Sequence, residues 1–367
     1  MITSPNTVLA NSLIHATDIL RPRLELNKPR RVEFSVGTQI NGIPHIGTYI
    51  VLTSAFVLAQ EVEARYGVPC EVSFGALDNA PYDTVAGYDG SIFQRAYAHA
   101  IPSSDITRLI GNHYVRLFDQ LTKITGVKCK WRTYTEQQAL PEFRGVFLET
   151  LQKSAEMGWC VAPSNGQLRI RLPCQDDGYY AQKRAEGVHV VRATEQDAVF
   201  RCVSRAGTIY EVQLTRDGCR DGVYLDVNTL YRNVIKEAVY AKESDVLGVM
   251  VKGGDWTMST QPIDWALGVL GYSATQVPMR LFTPQILTDT GAKLSKSLIR
   301  DGDASMSHVP EWMLNMGRFV ERNADYAEKM VWLVRQFLSH PRHMFRSYTY
   351  HEVVRLLHAY QADEEGL

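Results

Sequence analysis

Val32-Glu33-Phe34-Ser35-Val36-Gly37, followed shortly by Asn41-Gly42-Ile43-Pro44-His45-Ile46-Gly47-Thr48, is the stretch whose reading decides the fold. The first run alternates as a strand does, and Gly37 with the loop through Pro44 is expected to break it. From residue 48 to about 66, Ile50, Leu52, Ala55, Phe56 and Leu58 cover nearly every face, with charges only at Glu61, Glu63 and Arg65. That pattern predicts a helix buried all round. Gly67 and Pro69 stop it, and residues 70 to 74 read as a second short strand. Strand, loop, helix and strand make a βαβ crossover, a unit common to many α/β proteins that by itself says little about chemistry.

Outward from that unit, residues 130 to 225 change texture. Short alternating segments at 167–172, 188–192, 198–203 and 208–214 are separated by Gly, Asp and Ser, which predicts an inserted, mixed or antiparallel subdomain. Helical spacing returns at 230–240, a strand at 246–251, a helix at 262–270 and a strand at 280–283. The last 67 residues carry helical patterns at 309–320, 326–338 and 350–360, then an acidic stretch at 363–365. The expected organisation is an N-terminal extension over 1–30, a nucleotide-binding catalytic domain over 31–300 holding the insertion, and a short helical domain over 301–367.

Composition bounds the function. The 367 residues, 45% hydrophobic, can bury a sizeable core, and 39 basic against 40 acidic residues leave a net charge of −1. A neutral chain has no overall pull toward DNA or an anionic membrane. With no leader-like start and no long apolar run, a cytoplasmic address is expected. The six cysteines contain no CxxC pair, so no metal site is expected.

Two segments carry chemistry. In the first, around His45, the free amides and dipole of a helix start favour anionic oxygens, Gly47 permits close approach to the backbone, and His45 can hydrogen-bond phosphate. Alone, it is equally an ordinary loop. The second is Gly291-Ala292-Lys293-Leu294-Ser295-Lys296-Ser297, where two lysines flank small hydroxyl residues. Transfer at an α-phosphorus develops charge on leaving and non-bridging oxygens, which mobile ammonium groups stabilise. A glycine-hinged loop of this kind can close over a bound nucleotide. An early histidine turn at a strand-to-helix junction followed by a late lysine loop points to nucleotide chemistry where neither does alone.

The pair resembles the two signatures of the class I aminoacyl-tRNA synthetases, a His-Ile-Gly-His segment and a Lys-Met-Ser-Lys-Ser loop. Pro44-His45-Ile46-Gly47-Thr48 matches the first apart from its last histidine, and Lys293 to Ser297 matches the second with Leu for Met. Gly253-Gly254-Asp255-Trp256 resembles the family's Gly-x-Asp segment beside the ATP ribose. Within the class the pattern is most similar to the class I lysyl-tRNA synthetases, over roughly residues 30 to 300. There, Val227 to Arg232 departs from Val-Asp-Trp-x-x-Arg at Asn228 and Thr229, and the aspartate-rich stretch keeps only Asp78 and Asp83.

What the resemblance implies is an α/β chain with a Rossmann-like (HUP-type) parallel sheet, helices on both faces, the insertion and a C-terminal helical segment. It implies ATP, with Mg2+ arriving on the nucleotide, and an amino acid activated as its adenylate. His45, Lys293 and Lys296 would be catalytic, and Pro44, Gly47, Thr48, Gly253, Gly254, Asp255, Leu294 and Ser295 would join them around ATP. Thr38, Gln39, Asp78, Asn79, Tyr82, Asn228 and Arg232 are substrate candidates by position. The 67 residues after Arg300 are shorter than the family's anticodon-binding domain, so the expected acceptor is a small-molecule amine or a tRNA acceptor end, without anticodon reading. A small-molecule nucleotidyltransferase and a catalytically silent binding paralogue remain the alternatives.

Overall fold

A computed structural model describes residues 10–184 and 188–365; the first nine residues of the expected N-terminal extension lie outside them. Five parallel strands form the central sheet: β1 (Arg31–Gln39), β2 (Cys70–Leu77), β3 (Lys128–Thr133), β4 (Val246–Gly253) and β5 (Met279–Thr283). Their order across the sheet is β3-β2-β1-β4-β5. This is a Rossmann-like α/β fold.

Alternation along β1 sorts its two faces. Val32, Phe34 and Val36 are buried against α1 (Ile46–Tyr66), whereas Glu33 and Ser35 face α2 (Thr229–Lys242). The hydroxyl of Tyr240 on α2 donates to Glu33, and Ser73 on β2 donates to Ser35 at 3.0 Å. Thus helices cover both faces. α1 is apolar all round because the sheet lies on one side and α3 (Tyr326–Leu338) on the other. Its end is a left-handed Gly67, φ 68°, whose N–H returns to the Glu63 carbonyl.

Several elements depart from the sequence expectation. Gly37 does not end β1, which runs two residues further, to Gln39. Gly37 pairs directly with Gly75, and a Cβ on Gly37 would meet the Gly75 carbonyl oxygen at 3.1 Å. It is kept small by the neighbouring strand, not by a turn. Residues 128–133, where an insertion was expected to begin, are the sheet's edge strand, and helices Pro141–Gln152 and Ser154–Val161 follow. The antiparallel sheet His189–Ala193, Asp197–Val203 and Ile209–Thr215 matches the alternation there, but 167–172 contributes only Ile170–Arg171. A hairpin, Pro81–Ala86 with Ile92–Ala96, was not foreseen.

The helix expected over 309–320 is two, Glu311–Leu314 and Met316–Arg322. Asn315 leaves helical geometry between them, caps the second with its side chain on the Gly317 N–H, and frees the Met316 N–H to donate to the Pro44 carbonyl at 2.9 Å. The break fastens the C-terminal segment to the histidine turn. Among the described residues no helix is long and apolar enough to cross a membrane.

Candidate active site

In a sheet ordered β3-β2-β1-β4-β5, β1 and β4 are neighbours whose following connections leave toward opposite faces. That divergence opens a crevice outside their carboxyl ends, where ligands of such sheets bind. A cavity of about 460 Å³ lies there, lined by Thr38 and Gln39 from β1, Gly253 from β4, His45 at the start of α1, and the segment Lys293 to Lys296. Its size suits a small-molecule site.

His45 is 7% exposed and serves as the N-cap of α1, its Nδ1 accepting the Gly47 N–H at 3.1 Å. Because Nδ1 accepts, the proton of the neutral ring sits on Nε2, which makes that atom a donor. Burial first, then the nearby Lys296 and Lys293 ammonium groups, push the imidazole down to about 3, so the ring stays neutral at physiological pH. Gly47 serves the histidine itself: a Cβ there would lie 2.9 Å from His45 Cε1.

The lysine segment is shaped by its own spelling. Gly291, φ 79°, closes a tight turn in which Leu287 bridges Lys293 and the Leu294 N–H donates to the Ile286 carbonyl. Leu294 is buried at 1% and pins the loop to the core, while Ser295 caps the short helix Lys296–Arg300 by accepting from Leu298. With those residues anchoring, Lys293 and Lys296 face the cleft. Lys296 Nζ donates to the Gln39 carbonyl at 2.7 Å and to the Tyr114 hydroxyl at 3.3 Å. Burial pushes its ammonium down to about 8.

Lys293 ion-pairs with Asp255, which stands in the short turn after β4. Gly253 makes room for that carboxylate, since a Cβ on it would sit 2.6 Å from Asp255 Oδ1. Gly254 is held small by Gln285 and the Thr283 carbonyl instead, and packs away from the cavity. Beneath the turn, Glu237 is fully buried and accepts from both Lys252 and Arg280, with Lys252 lying over the Trp256 ring at 5.2 Å.

Gly37 and Gly75 leave a patch of the sheet without side chains, and the wall above it is α2 with Arg232, Asn233 and Lys236. Of these, sequence reading singled out only Arg232. Lys236 stands four residues after it, one helical turn on, a spacing visible in the sequence once α2 is known to border a cavity.

The candidates therefore separate. Thr38, Gln39, His45, Gly47, Thr48, Arg232, Gly253, Asp255 and Lys293 through Lys296 come together around one cavity. Six others, Gly254 among them, stand away from its lining. Asp78 is buried and takes the Thr135 N–H and hydroxyl, and Asn79 donates to Asp226 at 2.8 Å. Tyr82 packs edge-on to Tyr97. Asn228 caps α2 through the Tyr231 N–H, and the Pro44 carbonyl holds Met316. Among the described residues no group of three His, Cys, Asp or Glu side chains is placed to hold a metal ion.

No protein-family model matches the chain, and no curated protein does. Solved structures similar to it include Mycobacterium tuberculosis methionyl-tRNA synthetase in complex with methionyl-adenylate, at 12% identity and a TM-score of 0.40, covering 89% of this chain and 67% of that one. A putative arginyl-tRNA synthetase from Campylobacter jejuni is similar at 10% identity and a TM-score of 0.37, covering 94% of this chain and 71% of that one.

Proposed function

We propose that the protein activates an amino acid with ATP, forming an aminoacyl-adenylate and pyrophosphate, and then passes the aminoacyl group to a small amine or a tRNA end. The observation that carries this reading is the meeting of His45, Lys293 and Lys296 at the carboxyl ends of β1 and β4, from segments some 250 residues apart in the chain.

In the proposed reaction an oxygen of the amino-acid carboxylate attacks the α-phosphorus, and the bond from that phosphorus to the α,β-bridging oxygen breaks, the oxygen leaving with its electron pair as part of pyrophosphate. Neutral His45 donates Nε2–H to a phosphate oxygen without repelling the incoming cations of the lysine loop. Lys296 neutralises charge growing on the transferred and leaving groups, and Lys293 exchanges its Asp255 partner for a phosphate oxygen as the nucleotide arrives. Asp255 is then free to accept from the ribose. Mg2+ enters with ATP as part of the substrate. Much of the rate comes from holding carboxylate and α-phosphorus in line within a closed site.

Amino-acid-dependent exchange of labelled pyrophosphate into ATP tests the reading. Exchange that requires one amino acid supports it; exchange indifferent to amino acids, or none with any of them, overturns it.

A further inference from the structure

Counting carboxylates around α2 leaves two cations over. Asp226 is taken by Arg171 at 2.7 Å and by Asn79. Glu33 is taken by Lys130 at 2.8 Å and by Tyr240. Glu237 is taken by Lys252 and Arg280. Arg232 and Lys236, one turn apart on α2, line the cavity with no carboxylate partner of their own among the described residues. Arg232 is 5% exposed, packs with its guanidinium carbon 5.6 Å from the Tyr134 ring, and feels Asp226 only at longer range, with no ion pair to it among the described residues. A guanidinium carries five donors in a fork that matches a carboxylate, and that of Arg232 borders the cavity.

Lys236 also lies apart from the phosphate chemistry, and Arg232 is displaced sideways, beside Tyr134 at the carboxyl end of β3, two strands from β1. Lys296 is held at Gln39, the last residue of β1, whereas Lys236 stands near Glu33 and shares the cavity wall with Ser35, deeper in the same strand. Four residues of strand, from Ser35 to Gln39, span about 13 Å. One carboxylate cannot react above the tip of β1 and also satisfy Lys236 at the deep end. We propose that the activated amino acid carries a second carboxylate on its side chain, and that Arg232 and Lys236 bind it as specificity-determining residues across the glycine floor of Gly37 and Gly75. This rests on the adenylate reading and names its substrate class.

Burial, and next the neighbouring Lys252, push Lys236 down to about 8 in the ligand-free protein, so an anion arriving beside it strengthens its charge. A neutral amide of equal size leaves both cations unpaired, and selection against a substrate lacking the complementary polar group reaches 10⁴-fold in sites built this way.

Pyrophosphate exchange by the full chain, run with glutamate, aspartate, their amides, and neutral and basic amino acids, tests the proposal. Exchange with glutamate or aspartate at least 100-fold above its amide is expected. Exchange confined to neutral or basic amino acids overturns the second carboxylate while leaving activation standing; no exchange with any amino acid removes both. Lys236→Met is expected to raise KM for the acidic amino acid tenfold or more with KM for ATP unchanged, and Arg232→Lys to do the same while retaining the charge. Unchanged KM for the acidic substrate in both variants overturns the assignment of these residues.

Discussion

The ammonium of Lys296 lies 2.7 Å from the carbonyl oxygen of Gln39, joining a loop near residue 296 to the tip of the first strand across 257 positions of sequence. The contact holds the lysine at the edge of the cavity, over the end of β1. Lys296→Ala should leave ATP binding largely intact, because His45, Lys293 and the α1 amides remain, and slow single-turnover adenylate formation by about 10²-fold or more. Unchanged single-turnover rates would remove Lys296 from the chemistry.

The same burial that lowers Lys296 to about 8 sets a pH limit. A lysine depressed in the folded protein loses its proton as pH rises through about 8, and with it the positive charge needed at the phosphates. The expected kcat/KM falls above that pH, since this quantity reports the free enzyme. Lys296→Arg, whose guanidinium stays charged, should reduce that limb, leaving the part that Lys236, also pushed down to about 8, contributes, even where its absolute rate is lower. On the acid side His45 adds no limb near 6.5, because it is already neutral there.

His45 also bears on stability, with a definite sign. Its folded value is about 3 against 6.5 when exposed, so between those pH values the unfolded chain binds the proton and the folded chain does not. Its contribution therefore weakens the fold as pH falls from 6.5 toward 3. His45→Asn keeps a capping side chain but removes this titration and the Nε2 donor. Urea unfolding at pH 5 and pH 7.5 should show a smaller acid loss for the variant, with adenylate formation slowed at both. Equal acid loss in the two proteins would mean that the buried ring is not the cause.

Gly47→Ala separates space from fold. Alanine is a good helix former in the first turn of α1, yet its Cβ would stand 2.9 Å from His45 Cε1 and must displace the ring. The melting temperature is expected to hold while turnover falls at least tenfold. A variant with wild-type turnover would show that ring placement does not matter.

Glu237→Gln leaves Lys252 and Arg280 buried without their shared carboxylate. Breaking a buried network of this kind costs about 3–5 kcal/mol, so denaturant unfolding should shift to markedly lower concentration. A shift under about 1 kcal/mol would mean that water or Asp264, already paired with Arg280 at 2.6 Å, takes over.

What the sequence alone determined is local: the strand, histidine turn and buried helix of residues 31–66, the lysine loop with its glycine turn, and the helices of the C-terminal segment. Hydrophobic period, Gly67 and the capping residues specify those through neighbours a few positions apart. Tertiary structure decided what depends on distant partners. It kept β1 running through Gly37, because a glycine on the next strand receives it; it broke the helix at Asn315 to reach Pro44; and it turned Asp78, Asn79 and Asn228 to structural bonds outside the cavity. It also showed Arg232 and Lys236 without an ion pair among the described residues, since whether a charge is paired depends on side chains from separate segments meeting in space, and no spacing in the chain records that.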